Sequence, residues 1–323
     1  MSGPTLPTYV ERGGEQALSG PFLGRGVRLH GFLFEADELA LQAVCDRDLN
    51  GPAQGTVRYV PLVPRVLLIF AEFGKLRSND PPDSLKGVMT EIDVAFWMPV
   101  AAVDPTGTSA KAKRLSWFLP YIFVDNPLAI ASGREVYGYP KEQGTFLFPK
   151  ADADEALYAV DTHVCERFGP EAPLQHRRLF EVRRTDAVAH GGFARVWDDL
   201  KDAFQDTMRL IVNDEGKVNL SSVELLVDIF EYLVHDEVPT VFLKQFRDAA
   251  DPTLACYQAL IEAPSKVLTF RSAGLVLGDY ELTVFPFESH PIVKDLGLGG
   301  PKHRALAAWH ADFDFLLGKG REV

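Results

Sequence analysis

Short apolar runs and apolar–polar alternation, bounded by Gly and Pro, fill most of this chain, while helical periods are confined to a few places. Residues 27–34 alternate loosely and predict a strand, after which EADELALQAVC, residues 35–45, spaces Leu39, Leu41 and Val44 as one face of a helix. Between residues 56 and 73, β-branched and aromatic residues bounded by proline predict one or two strands, and SNDPPDSLKG predicts a loop. Residues 86–103 read as a longer apolar strand interrupted by two acids, Glu91 and Asp93, which alternation places on one face. Residues 116–131 start as a strand and become a helix from about Asn126, with Pro127 in its first turn. GTFLFP and ALYAVDTHVCERF, beyond residue 143, predict strands.

From residue 193 to about 238 the period turns helical, and the second segment opens on an S-x-x-E capping box, Ser221 to Glu224. Its apolar positions, among them Leu225, Leu226, Ile229, Phe230 and Leu233, need a partner surface, either a pocket mouth or another subunit. Strands then return in TVFLKQFRD, ACYQALIEAPSKVLTFRSAGLVLG and YELTVFPF, spaced by turns as in an antiparallel sheet. The C-terminal KHRALAAWHADFDFLLGKG reads as a helix. The fold class expected is α+β: a mostly antiparallel, curved or closed barrel-like sheet with flanking helices and a helical insertion. Residues 1–21, rich in Gly and Pro, form an N-terminal arm, and residues 22–323 form one domain carrying the insertion at about 193–238.

Composition narrows the partners. At 323 residues and 46% hydrophobic content the chain can bury a large core. A net charge of −12 speaks against nucleic acid or an anionic membrane as partner. Three widely spaced cysteines, Cys45, Cys165 and Cys256, fit free thiols in a reducing compartment. With no apolar leader at its start and no run of membrane-spanning length, a cytoplasmic protein is expected. Metal and nucleotide motifs do not assemble: His163 and Cys165 lack a third ligand, His303 and His310 are two histidines only, and GLGLGGPKH lacks the dinucleotide spacing.

The stretch with the most chemistry is DNPLAIASGREVYGYPKEQG, residues 125–144. Pro140 fixes its own φ and extends Tyr139, so the stem of Lys141 leaves the backbone in a defined direction. Ile130, Val136, Tyr137 and Tyr139 supply an apolar surround, and desolvation lowers a lysine pKa toward the free amine that attacks carbonyls. A surface lysine in a turn is the competing reading from composition. Arg134 and Glu135 can pair to fix the turn, and Arg134 can also meet an anionic ligand. Glu91, a carboxylate on an apolar strand, needs a wet face or a polar cavity.

G-R-E-V-Y-G-Y-P-K, residues 133–141, with D-N-P-L-A-I-A before it, resembles the acetoacetate decarboxylase family. The resemblance implies that Lys141 forms a Schiff base with a keto acid, that Glu91 stands at the active-site glutamate, and that Arg28, before a short helix, meets the substrate carboxylate. It covers most of the chain outside the arm and the insertion, and the lysine motif is its specific part. Two departures stand out. Glu142 follows Lys141 where the family's decarboxylases carry a second lysine, and an acidic position of the preceding strand falls near Leu68, with Glu72 four residues later. With a carboxylate next to it, Lys141 would have to be deprotonated mainly by desolvation.

The function so implied is a Schiff-base lyase acting on a small β-keto acid such as acetoacetate, with Lys141 and Glu91 catalytic, Arg28 and Arg134 binding substrate, and Glu135, Tyr139, Pro140 and Glu142 supporting the motif. No cofactor or metal is required by that chemistry. The alternatives are an aldolase-dehydratase or hydratase, with Glu142 as acid/base, and a non-catalytic keto-acid-binding protein. A homo-oligomer is expected.

Overall fold

The computed structural model describes residues 6–11, 17–106, 113–149, 156–186, 238–276 and 278–323, and strands dominate them. In chain order these are β1 (Phe22–Glu35), α1 (Glu38–Cys45), α2 (Gly51–Ala53), β2 (Arg58–Pro61), β3 (Arg65–Ser78), β4 (Met89–Val103), β5 (Arg114–Val124) and α3 (Pro127–Ser132). There follow β6 (Lys141–Leu147), β7 (Leu157–Val164), β8 (Gln175–Arg184), β9 (Val238–Arg247), β10 (Ala255–Leu275), β11 (Tyr280–Val284), α4 (Ile292–Asp295), β12 (Lys302–Arg304), β13 (Ala307–Leu317) and β14 (Arg321–Glu322). Helices among the described residues are few and short. The predicted helical insertion, its capping box included, lies outside the described residues, apart from Val238, which opens β9.

All the strands join in one large mixed sheet, ordered β12-β11-β8-β7-β6-β5-β9-β10-β13-β1-β3-β4-β2, and β14 pairs with β10. A further pairing of β4 with β5 brings the order back on itself, so β1, β3, β4, β5, β9, β10 and β13 form a ring. β5 is the junction. It pairs in parallel with β9 on the ring and with β6, the first strand of a wing that continues through β7, β8 and β11. The sheet is mostly antiparallel, as the sequence suggests, and the two parallel pairings at β5 make it mixed.

Aromatic side chains glue the wing to the ring: Phe180 of β8 packs edge-on against Phe96 of β4 at 5.3 Å and against Phe123 of β5 at 5.8 Å. Such pairs add about 0.5–1.5 kcal/mol each beyond the area they bury. A second apolar cluster, with Phe22, Leu76, Met89, Ala129, Tyr137, Ile261 and Leu317, lies on the α3 side. The end of the arm closes over it, the Leu18 amide donating to Ser132 Oγ at 2.9 Å and the Ser132 hydroxyl to the Leu128 carbonyl at 2.7 Å.

Two elements differ from the sequence reading. The C-terminal segment is not a helix but the strands β12 and β13. Its pattern has period two: Trp309, Ala311, Phe313, Phe315 and Leu317 fall on one face, while Asp312 and Asp314 on the other meet Arg271 of β10 at 3.0 and 2.6 Å. His303 and His310 are accordingly on strands and not two helical turns apart. β8, QHRRLFEVRR, was not anticipated, because five of its ten residues are basic and only Leu179, Phe180 and Val182 are buried.

Candidate active site

The turn that delivers Lys141 is built from local rules. Asn126 caps α3, its side chain accepting from the Leu128 amide at 2.9 Å, and Pro127 occupies the first turn, where no amide is needed. The cap residue and the one before it also fix the strand beside the helix: Asn126 Nδ2 donates to the Thr90 carbonyl at 2.8 Å, and Asp125 Oδ1 accepts from the Ile92 amide at 2.8 Å. Glu91 is thus bracketed on both sides by the D-N pair of the motif. α3 then widens into a π-helical turn over Gly133–Tyr137, a form that recurs at functional sites. It ends on Gly138, whose φ of +82° is left-handed.

Tyr139 donates its amide to the Gly133 carbonyl at 3.0 Å, and the Lys141 amide turns back onto the Tyr139 carbonyl at 2.7 Å across Pro140. Arg134 Nη1 donates to the Lys141 carbonyl at 3.1 Å, so this arginine clips the turn, while Glu135 lies in electrostatic reach of Lys244. The expected pairing of Arg134 with Glu135 is replaced by these contacts. Gly133 makes room for the lysine: a Cβ there would stand 2.8 Å from Lys141 Cδ and 3.2 Å from Cε.

Lys141 is the first residue of β6, where it pairs with Ile122 of β5. Its side chain is buried, 8% exposed, and Nζ donates to Glu91 Oε1 at 2.5 Å. Asp93 Oδ2 stands 3.5 Å from the same nitrogen. The Tyr139 ring lies 5.8 Å from Nζ; it stacks on Tyr137, packs on Phe242 at 4.1 Å, and its hydroxyl is 3.2 Å from Thr240 Oγ1. This rigid aromatic wall excludes water from one side of the amine.

The electrostatics differ from the sequence reading. Burial does press the lysine toward the free amine, but the charges of Glu91 and then Asp93 outweigh it, and the pKa of Lys141 is raised, not lowered. The resting amine is an ammonium in an ion pair. Asp93 is pushed up to about 7, chiefly by burial and with the neighbouring Glu91 carboxylate adding, against the pull of Lys141. Burial also raises the pKa of Tyr139, so its hydroxyl stays protonated.

Of the residues singled out from the sequence, Lys141, Glu91, Tyr139 and Pro140 come together, and Arg134 and Glu135 form the turn behind them. Arg28 does not join them. The register sets it opposite Glu72, which stands opposite Ile92, so Arg28 faces the side of the sheet away from Glu91 and Asp93. There it is largely exposed and pairs with Glu72 at 3.2 Å. Glu142 likewise faces away, because adjacent residues of a strand point to opposite faces. Its Oε2 is 3.1 Å from Nε2 of the buried His290, whose Nδ1 is 2.8 Å from Ser289 Oγ. An open cleft of about 700 Å³, lined by His290, Lys294, Arg167, Phe287 and Leu298 among others, lies on that far side and includes none of Lys141, Glu91 and Asp93.

Asp93 and Gly133 are the site residues that sequence reasoning left without a role. The signal for Asp93 was its i, i+2 spacing from Glu91; that for Gly133 was its place opening the G-R-E motif.

No family model matches this sequence, and no curated protein matches it. Solved structures do. An acetoacetate decarboxylase from Legionella pneumophila superposes with a TM-score of 0.60 at 15% identity, over 100% of this chain and 98% of that one. An acetoacetate decarboxylase-like enzyme from Sphingomonas wittichii gives 0.54 at 15% identity, over 95% and 94%. The enduracididine biosynthesis enzyme MppR in complex with pyruvate gives 0.54 at 13% identity, over 96% and 92%. The large mixed sheet and the helix-to-strand turn that ends on Lys141 belong to a chain with the fold of acetoacetate decarboxylase and the acetoacetate decarboxylase-like enzymes.

Proposed function

We propose that this protein is a Schiff-base enzyme for a small keto acid, with the Lys141 amine as nucleophile. The observation that carries the reading is one buried lysine nitrogen held at 2.5 Å by Glu91, with a second carboxylate 3.5 Å away, against an aromatic wall. A lysine is almost never fully buried unless paired, and a buried lysine–carboxylate cluster in which Asp93 is pushed up to about 7 is a candidate functional site. Its place in the G-R-E-V-Y-G-Y-P-K stretch, and a fold like that of acetoacetate decarboxylase and of an enzyme crystallised with pyruvate, support the keto-acid class.

In the proposed reaction the ammonium first yields its proton to the carboxylate pair. The free amine then attacks the ketone carbon, a C–N bond forms, and water leaves from the carbinolamine to give an iminium. The iminium accepts the electron pair of the bond that breaks next. In a β-keto acid that is the C–C bond to the departing carboxylate, which leaves as CO2. In a pyruvate-like substrate it is an α C–H bond. Protonation of the enamine carbon and hydrolysis return the lysine. Glu91 aims the nitrogen, and Arg134, at the rim of the turn, is the candidate for a substrate anion.

A specific observation favours the second route, the proton-transfer chemistry of an aldolase-dehydratase. Two carboxylates beside the amine, at 2.5 and 3.5 Å from its nitrogen, suit the repeated proton transfers of that route. Glu142, turned onto His290, is not placed to be the acid/base of that route. NMR in D2O with acetoacetate and with pyruvate separates the readings. Acetone with CO2 marks the lyase, deuterium entering the pyruvate methyl marks the second route, and binding without either change refutes the enzyme reading in favour of a keto-acid-binding protein.

A further inference from the structure

Glu91 and Asp93 approach one nitrogen from the same strand, yet their settings are different. Glu91 Oε1 makes the short contact to Nζ, its side chain is 1% exposed, and its strand is clamped on both flanks by Asp125 and Asn126. Asp93 stands a full ångström farther from Nζ, with its side chain 17% exposed. Its paired neighbours, Ala71 on β3 and Val124 on β5, carry no charge, nor does Leu29 on β1 beyond Ala71. The ionisable groups that face Asp93 are Lys141 of β6, Glu91 on its own strand, Asp125 after β5, and the Tyr139 phenol of the turn.

We infer that Asp93 is the acid/base catalyst of the site, taking the proton from the Lys141 ammonium before attack and returning it to the carbinolamine hydroxyl, while Glu91 serves to position the amine. This rests on the Schiff-base reading above and assigns the proton transfers within it. The step balances: one Nζ–H proton moves to Oδ2, and the freed lone pair forms the C–N bond as the carbonyl π pair shifts onto oxygen. That oxygen takes a second proton from the attacking nitrogen to become the carbinolamine hydroxyl. The proton on Oδ2 then goes to this hydroxyl, which departs as water as the nitrogen lone pair forms the iminium. A group whose pKa lies near the working pH is suited to both transfers. Asp93, pushed up to about 7 by burial, is such a group. Below that pH Asp93 already carries a proton and cannot relieve the ammonium. Above it the carboxylate is open, so the rate of imine formation rises with pH through about 7.

The test is the rate of borohydride trapping with pyruvate and with acetoacetate, measured from pH 5.5 to 9 for the wild type, Asp93→Asn, Asp93→Glu and Glu91→Gln, all checked for fold by circular dichroism. Asp93→Asn is expected to slow trapping about 100-fold or more, the usual worth of acid–base catalysis, and to lose the inflection near pH 7. Asp93→Glu should keep an inflection, and Glu91→Gln should reduce the rate while retaining it. A wild type that traps at Lys141 while Asp93→Asn traps at the same rate with the same inflection overturns the assignment of Asp93 alone. A wild type that gives no adduct at any pH overturns the Schiff-base reading and the assignment with it.

Discussion

Replacing Gly138 by alanine probes the joint on which Lys141 is mounted. Two costs are built into that position. At a φ of +82° an L-residue sits in left-handed space, which costs about 1–2 kcal/mol. The added Cβ would also stand 2.6 Å from the backbone nitrogen of Lys244 on β9, and closer still to its Cα. Neither atom belongs to a side chain that can swing away, so the turn or the strand must move, and overpacking of this sort costs about 1–3 kcal/mol. The sum is about 2–5 kcal/mol. Gly55, with a φ of +83° and no atom within 4 Å of its virtual Cβ, is the matched control and should show the backbone cost alone. Changes in unfolded-chain entropy are common to both substitutions and cancel in the difference. Urea unfolding of Gly138→Ala and Gly55→Ala should therefore differ by about 1–3 kcal/mol, the overpacking share. Because Tyr139 sits between Phe242 of β9 and the turn, Gly138→Ala should also slow trapping at Lys141, which Gly55→Ala should not. Equal losses of stability in the two variants would refute the claim that β9 buttresses the turn.

Glu142→Lys places the missing second lysine in the chain, but on the far face of β6 against His290, so the trapping rate at Lys141 should change less than about threefold; a tenfold rise, worth about 1.4 kcal/mol, would show that the two side chains communicate. Asp93 also marks the stability of the wild type. Between about pH 4 and pH 7 the unfolded chain has released a proton that the folded site keeps, so this group's contribution is present below pH 4 and is lost as pH rises through about 7. Urea titrations should show the stability of the wild type falling, relative to Asp93→Asn, across that window, and parallel curves would contradict the burial argument.

The parts legible in the sequence are those in which one local rule acted alone. Asn126 and Pro127 announced α3, the alternation around Glu91 announced β4, and the order of residues up to Lys141 singled out the nucleophile. What was hidden depended on where strands begin and which way they face. A lysine read as part of a turn leaves the direction of Glu142 open, whereas a lysine that opens β6 turns its neighbour to the opposite face. Arg28 precedes a helix in sequence, yet only the β1–β3–β4 register reveals that it and Glu91 lie on opposite sides of the sheet. β13 was misread because its small and apolar residues suit a helix locally, while the two aspartates that report its period of two have their partner, Arg271, some forty residues earlier. The ionisation of Lys141 was reversed for a related reason. Desolvation is suggested by the local apolar residues, but the carboxylates that oppose it come from β4, fifty residues away in the chain for Glu91.

The nucleophile itself is tested most directly by borohydride reduction in the presence of pyruvate or acetoacetate, followed by mass spectrometry of the digested protein. A reduced adduct of one keto-acid equivalent, or of its decarboxylated remnant, should map to the peptide that contains Lys141 and be absent from Lys141→Ala. An adduct on another lysine, or an equal yield from Lys141→Ala, would contradict the account.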